Sequence, residues 1–196
     1  MSGVLPASPI FASLELKSDQ PVLSDTSESS KRQSRITGGH LWKMRLRYPP
    51  MTQEEFAPID AFIMGQDGSY GDFDITYPLA NQGAWIATTP DVVGAHAAGL
   101  TSIAIDGIGA GGTVKAGDIF SPANHTKVYK IIADAVADGT GAATISFRPA
   151  LIEPLIDNEV LTVADVLFRV AIKGVHEFKV SVPKLYRYEL DLVESL

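Results

Sequence analysis

Between Leu41 and Tyr48 the chain reads Leu-Trp-Lys-Met-Arg-Leu-Arg-Tyr, and two prolines follow. Trp42, Met44, Leu46 and Tyr48 occupy one set of alternate positions, and Lys43, Arg45 and Arg47 the other. A strand sends successive side chains to opposite faces, so this segment is a strand with one core face and one basic face. Pro49-Pro50 ends it, because proline has no N–H to give to a ladder. The far end of the chain repeats the pattern. Tyr186, Tyr188, Leu190 and Leu192 alternate with Arg187, Glu189, Asp191 and Val193. A terminal strand this regular must pair, and its candidate partners are the early strands around Leu14 and Trp42. Such pairing joins both ends of the chain in one discontinuous domain.

Other segments fill in the outline. Ser13 to Lys17 is a short alternating strand. Met1 to Ile10, small residues and proline, is expected to be a flexible arm, and Ser24 to Ser30 a polar loop. Thr52 with Glu55 forms a capping box, and Met51 can staple against Phe56, so a short helix starts there. Pro58 predicts a kink or restart in it, and Ile59, Phe62 and Ile63 form its apolar stripe before Gly65. Gly68 and Gly71 mark a turn, and Phe73, Ile75 and Tyr77 alternate up to Pro78. From Ala80 to Gly112 charges are sparse. Short β-type segments then recur at Trp85–Thr88, Leu100–Asp106, Asp118–Phe120, Val128–Ile132 and Ala143–Phe147. Glycine-bearing turns separate them, as in a small barrel or sandwich. Leu167–Ile172 fits one more strand of that unit. The expected organisation is all-β with one short helix: a discontinuous domain of residues 1–80 and 173–196, carrying an inserted β unit at 81–172.

Composition narrows the chemistry. The 196 residues include no cysteine, which removes disulfide scaffolds, cysteine nucleophiles and thiolate zinc sites. No run approaches the roughly 18 apolar residues of a membrane span. The first residues lack a basic region followed by an apolar core, so no secretory signal is expected. The net charge of -7 argues against a dedicated nucleic-acid binder. The charge is unevenly spread. From Ser29 to Gln53 there are six basic residues and no acidic one: Lys31, Arg32, Arg35, Lys43, Arg45 and Arg47. An alternating strand explains the last three as a solvated face. A partner reading sets them against an acidic surface of a neighbouring subunit.

Motifs for catalysis or cofactors are weak. Gly107, Gly109 and Gly112 satisfy the letter of a dinucleotide fingerprint, but no helical stripe follows to receive a pyrophosphate. A strand–strand loop is the better reading. Asp106, Asp134 and Asp138 lack calcium-loop spacing, and Asp138-Gly139 is a hairpin turn by itself. His40, His96, His125 and His176 are too far apart in sequence for a helical zinc pair. No Gly-x-Ser-x-Gly elbow occurs. The expectation is a protein without enzymatic activity, cofactor or metal.

The order of segments resembles the distal tail proteins of long, flexible-tailed bacteriophages, in the type that carries an inserted oligonucleotide/oligosaccharide-binding (OB) barrel. The resemblance rests on four stretches. They are Leu41 to Met64; Gly71-Asp72-Phe73-Asp74-Ile75; Lys115 to Phe120 with Thr126 to Ile131 and Ile145 to Leu151; and Leu167-Phe168-Arg169 with the terminal Tyr188 to Leu196. Together they span most of the chain from Ser13 onward.

The resemblance implies a split β-barrel or sandwich plus a small OB-like barrel. It implies a structural virion protein forming a hexameric ring at the tail tip. Its partners would be other copies of itself, the tail tube protein, the tail-tip hub, and receptor-binding or side-fibre proteins. The barrel would face outward, where it meets fibre components or host-surface saccharide. On this reading Lys43, Arg45, Arg47, Arg187, Glu189 and Asp191 are the candidate ring or partner interface. Trp85 and Tyr129 are the candidate saccharide contacts. A free carbohydrate-binding module using the same barrel is the alternative. Single-stranded nucleic acid is disfavoured, because Ala80 to Ile172 holds only Lys115, Lys127, Lys130, Arg148 and Arg169 to line a groove.

Overall fold

The computed structural model describes residues 3–28, 30–36, 38–175, 177–181 and 184–196. The first elements are β1 (Ser13–Asp19), β2 (Val22–Thr26), β3 (Arg32–Ile36), β4 (Leu41–Arg47), α1 (Gln53–Met64) and β5 (Asp72–Thr76). A 3-10 turn (Ala84–Ala87) precedes β6 (Asp91–Val92), β7 (Ser102–Asp106), β8 (Thr113–Val114), β9 (Ile119–Pro122) and β10 (Tyr129–Ile131). Then come β11 (Ala135–Val136), β12 (Ala143–Arg148), β13 (Leu161–Thr162), β14 (Leu167–Ile172), β15 (Phe178–Ser181) and β16 (Leu185–Glu194). The protein is all-β with one α-helix. It divides into two compact units, Met1–Phe73 with Val170–Ser195, and Asp74–Arg169. The divisions fall inside β5 and β14, a few residues before the positions expected from sequence.

The first unit is organised by the alternation at the two chain ends. The sheet runs β1-β4-β16-β14-β5, and β15 also pairs with β16. β16 lies antiparallel to β4 with Leu190 opposite Leu46 and Leu192 opposite Met44. Trp42, Met44, Leu46, Tyr188, Leu190 and Leu192 are all buried, so one face of these strands is core. Helix α1 covers that face. Its capping box is formed: the Glu55 amide donates to Thr52 Oγ1 (3.4 Å), and the Thr52 amide donates to Glu55 Oε2 (2.8 Å). Phe56, Ile59 and Ile63 point inward. Phe56 stacks on Tyr186 with ring centroids 4.7 Å apart and meets the edge of Tyr188 at 5.6 Å.

Several expectations change here. The helix continues through Pro58 as one element. The missing amide would have bonded the carbonyl of exposed Glu54, which water can serve, so one lost bond does not split the helix. The arm is not wholly free, since Leu5 is buried and Gly3 lies against the Phe62 ring. The expected loop at Ser24–Ser30 is largely hairpin: β2 and β3 pair from Val22–Ile36 to Thr26–Arg32. Ser29 lies outside the described residues. β14, expected within the insert, pairs with β16 through Val170, Ala171 and Ile172.

The second unit is a small, nearly closed barrel. Its sheet runs β13-β9-β10-β12-β7-β6. An isolated bridge between Asp91 of β6 and Val160, next to β13, brings the last strand round towards the first. The Leu161 amide also donates to the Pro90 carbonyl (2.9 Å). Alternation again sets the faces, with Ile103 and Ile105 of β7 inward opposite Ile145 and Ala143 of β12. Phe120 stacks on Tyr129 at 5.4 Å and meets Phe147 edge-on at 5.2 Å, forming the aromatic centre.

Trp85–Thr88 is not a strand. Three backbone amides and the Trp85 indole converge on one carboxylate and hold this segment as a 3-10 turn. Asp118, itself buried, accepts from Gln82 N (2.7 Å), Gly83 N (3.0 Å), Lys115 N (3.0 Å) and Trp85 Nε1 (2.8 Å). A side chain at Gly83 would meet this cluster, with Asp118 Oδ2 at 2.7 Å from the Cβ. The fingerprint-like Gly107 to Gly112 is a loop between β7 and β8. A Cβ on Gly112 would collide with the Ile108 carbonyl, so that glycine serves a close backbone approach.

Candidate functional site

The outer face of β1, β4 and β16 carries five of the six interface residues expected from sequence in a single register. Arg45 stands opposite Asp191 of β16 and Glu15 of β1. Arg47 stands opposite Glu189. Arg45 Nε and Nη2 donate to Asp191 Oδ1 (2.6 Å) and Oδ2 (3.0 Å), a two-pronged pair. Arg47 lies 3.5 Å from Glu15 and 3.6 Å from Glu189. Lys43 is bonded to Asp19 at the end of β1. Arg187 lies further along β16, opposite Lys179 of β15.

These contacts correct the sign of the face. The sequence suggests a basic strand beside a strand of mixed charge. In the fold every β4 cation has a carboxylate from a neighbouring strand, so the face is an interleaved ion-pair ladder rather than a positive patch. Carboxylates from β1 and β16 supply the balance, and neither is near β4 in sequence. The Arg45 hydrogen bond holds the Asp191 carboxyl below its ordinary range, against a smaller opposing effect of burial. The Lys43 hydrogen bond does the same for Asp19. These groups are well exposed, so each pair contributes little alone.

A groove of about 520 Å³ opens beside this ladder. Its origin is a register change. β14 pairs Ile172 with Leu192, and β15 pairs Phe178 with Tyr188, so the pairing along β16 shifts by two residues between them. Lys173, Lys179, Arg187, Glu189 and Asp191 line the groove with both signs of charge. His176 lies outside the described residues.

The expected saccharide contacts are corrected. Trp85 and Tyr129 are both 0% exposed. The Trp85 indole N–H is bonded to Asp118, and the Tyr129 hydroxyl lies 2.8 Å from His125 Nε2 and accepts from Ile152 N (3.1 Å). Neither ring offers a face to a sugar. Alternation cannot tell a core aromatic from a ligand platform in a small barrel, because both sit on short strands between glycines.

Asp134, Asp138 and His40 have local structural roles. Asp134 accepts from Ala116 N and pairs with Lys115. Asp138 closes its own turn by accepting from Thr140 N (2.8 Å) and Ala142 N (3.1 Å). His40 bonds Ser18 Oγ (2.7 Å) and lies edge-on to Trp42. Among the described residues no group of His, Asp or Glu is placed to hold a metal ion, and no helix is long and apolar enough to cross a membrane.

Sequence reasoning missed three polar positions. Asp118 anchors the Gln82–Trp85 segment and the Lys115 amide. Asn81 ties β9 to Val163, donating to the carbonyls of Ile119 and Val163 (both 2.7 Å) and accepting from Ile119 N (2.9 Å). Glu194 continues the inward row of β16 and accepts from Trp42 N (3.0 Å) while buried. Only Glu194 had a usable signal, its parity with Tyr188, Leu190 and Leu192.

No family model matches the chain, and no curated protein matches it.

Proposed function

We propose that this protein is a structural subunit of a phage tail tip, a ring component joining the tail tube to the tip hub and to receptor-binding or fibre proteins. The observation that carries the reading is the pairing of β4 with the terminal β16. It closes one unit from both chain ends and leaves a second, barrel-like unit as an insertion between them. The ordered motif resemblance calls for that arrangement, with an OB-like insert directed outward. On this reading the protein acts by binding rather than catalysis, needs no cofactor, and resides in the virion.

A ring uses two different complementary faces on each subunit. The ladder face and the adjoining groove supply charges of both signs for one of them. The carbohydrate-module alternative loses its support with the burial of Trp85 and Tyr129.

Negative-stain microscopy combined with mass determination of the purified protein tests the proposal. A six-fold ring, alone or on added tail tubes, is the expected result. A protein that stays monomeric at every concentration and never caps tubes overturns it.

A further inference from the structure

Among the described residues, a basic set and an acidic set of charges make no ion pair with an opposite charge. The basic set is on the β2–β3 hairpin. Every residue of both strands is exposed. A lone two-stranded hairpin is marginal in water, so a ribbon open on both faces calls for support from elsewhere. Leu23, 68% exposed, stands directly opposite Arg35. Val22 stands opposite Ile36 at the ribbon's base. The Arg35 and Arg32 side chains make no ion pair among the described residues.

The acidic set is on the barrel. Asp91 of β6 and Asp106 of β7 are direct cross-strand partners, and like charges so placed are destabilising. Asp91 is also bridged to Val160, which is 48% exposed. Residues opposite one another across antiparallel strands share a face, so Val160, Asp91 and Asp106 form one row. A hydrogen bond with Asp91, then burial and the charges of Asp91 and Asp157, holds the Asp106 carboxyl above its ordinary range. Neither Asp91 nor Asp106 has a basic partner among the described residues.

The geometry points to an intermolecular contact in which the β2–β3 hairpin of one copy docks on the Val160–Asp91–Asp106 row of a second copy. Arg35 reaches both carboxylates, and Leu23 covers Val160. A guanidinium suits this role, because its planar fork can bond two carboxylate oxygens at once. The contact joins two different surfaces, so it can repeat head to tail round a closed ring or be reciprocated in a two-fold pair. In that respect it rests on the ring reading above and adds the hairpin and the barrel row to the surfaces that meet there.

The test is a charge exchange read by native mass spectrometry and sedimentation of the full chain. Arg35→Glu and Asp106→Arg should each weaken self-association by roughly tenfold or more. Circular dichroism checks that each variant folds, and Asp91→Arg replaces D106R if that variant does not. Mixing the two single variants should restore association, since each then offers the charge the other needs. No restoration on mixing overturns the contact, as does wild-type self-association that R35E leaves unchanged, or a wild type monomeric up to its solubility limit. A six-fold ring that survives R35E overturns the hairpin contact and leaves the ring reading standing. A charge-exchangeable dimer without rings supports the contact and removes the ring reading.

Discussion

Arg45 and Asp191 are 146 residues apart in sequence, yet they face each other across β4 and β16 and share two hydrogen bonds of 2.6 and 3.0 Å. Glu15 stands on the other side of Arg45. The guanidinium is therefore the cation between carboxylates of two neighbouring strands, and that position changes what a substitution there reports. A charge reversal chosen to test assembly also tests the sheet.

Arg45→Gln should lower the urea midpoint slightly, because an exposed pair is weak. Arg45→Glu should lower it more, since it sets a third carboxylate between Glu15 and Asp191. Adding Asp191→Arg to Arg45→Glu should recover part of the loss. The difference between the two single variants should shrink at high salt. The sign in acid follows from the lowered Asp191 value: its contribution is complete above the ordinary carboxylate range and is lost as pH falls through that lowered value. Equal midpoints for Arg45→Gln and Arg45→Glu at low salt would show that the ladder carries no cross-strand electrostatics.

Asp118→Asn should destabilise the barrel unit. It puts a carboxamide where donors now converge on a carboxylate: three backbone amides and the Trp85 indole. The carboxamide oxygen can keep the three donors that meet Oδ2, which leaves the Gln82 amide against the N–H₂; one unpaired donor costs about 1–3 kcal/mol, and a loss of that size is expected. Trp85 reports it directly. Its emission should shift to the red at lower denaturant than in the wild type. An unchanged unfolding curve would mean that the turn at Ala84–Ala87 stands without this anchor.

What was legible in the sequence was whatever a period of two carries. Trp42 to Tyr48 and Tyr186 to Val193 declare their inward faces, and their pairing defines the first unit. The Thr52–Glu55 box declares the start of α1. What was hidden depends on partners distant in sequence. The basic row of β4 is neutralised by Asp19, Glu15, Glu189 and Asp191, which alternation places on the same face but cannot place opposite it. The 3-10 turn at Trp85 depends on a carboxylate 33 residues away. The hairpin at Val22–Ile36 has no apolar face to announce it, and its polar residues read as a loop.

Trp85→Ala removes a fully buried indole, a change that typically costs about 3–5 kcal/mol. Any sugar-binding defect in that variant should therefore track the unfolded fraction measured by circular dichroism. Tyr129→Phe is the cleaner probe. It keeps the ring packed on Phe120 and Phe147 and removes only the hydroxyl. Glycan-array signals of Tyr129→Phe should equal those of the wild type. A selective loss with full folding would restore a ligand role to this position.

His125 provides the pH test. The Tyr129 hydroxyl accepts from Ile152 N and shares a hydrogen bond with His125 Nε2; with a neutral ring whose Nδ1–H donates to Asn124 Oδ1, that hydroxyl is the donor to Nε2. That network fits the neutral ring. Protonating Nε2 would turn the hydroxyl proton away from its acceptor in a buried place. Burial is the leading cause of the lowered His125 value; Lys127 adds to it, while Glu153 and Glu159 oppose it. A histidine whose value is lower folded than unfolded gives stability that is complete above the ordinary value of 6.5. That stability is lost as pH falls from there towards the folded value, because the unfolded chain takes up the proton first. Wild-type stability from denaturant unfolding should fall between neutral pH and the folded value. In His125→Gln that slope should be reduced, with lower stability at neutral pH. Parallel pH profiles for the two proteins would mean that His125 is not the group that titrates in this range.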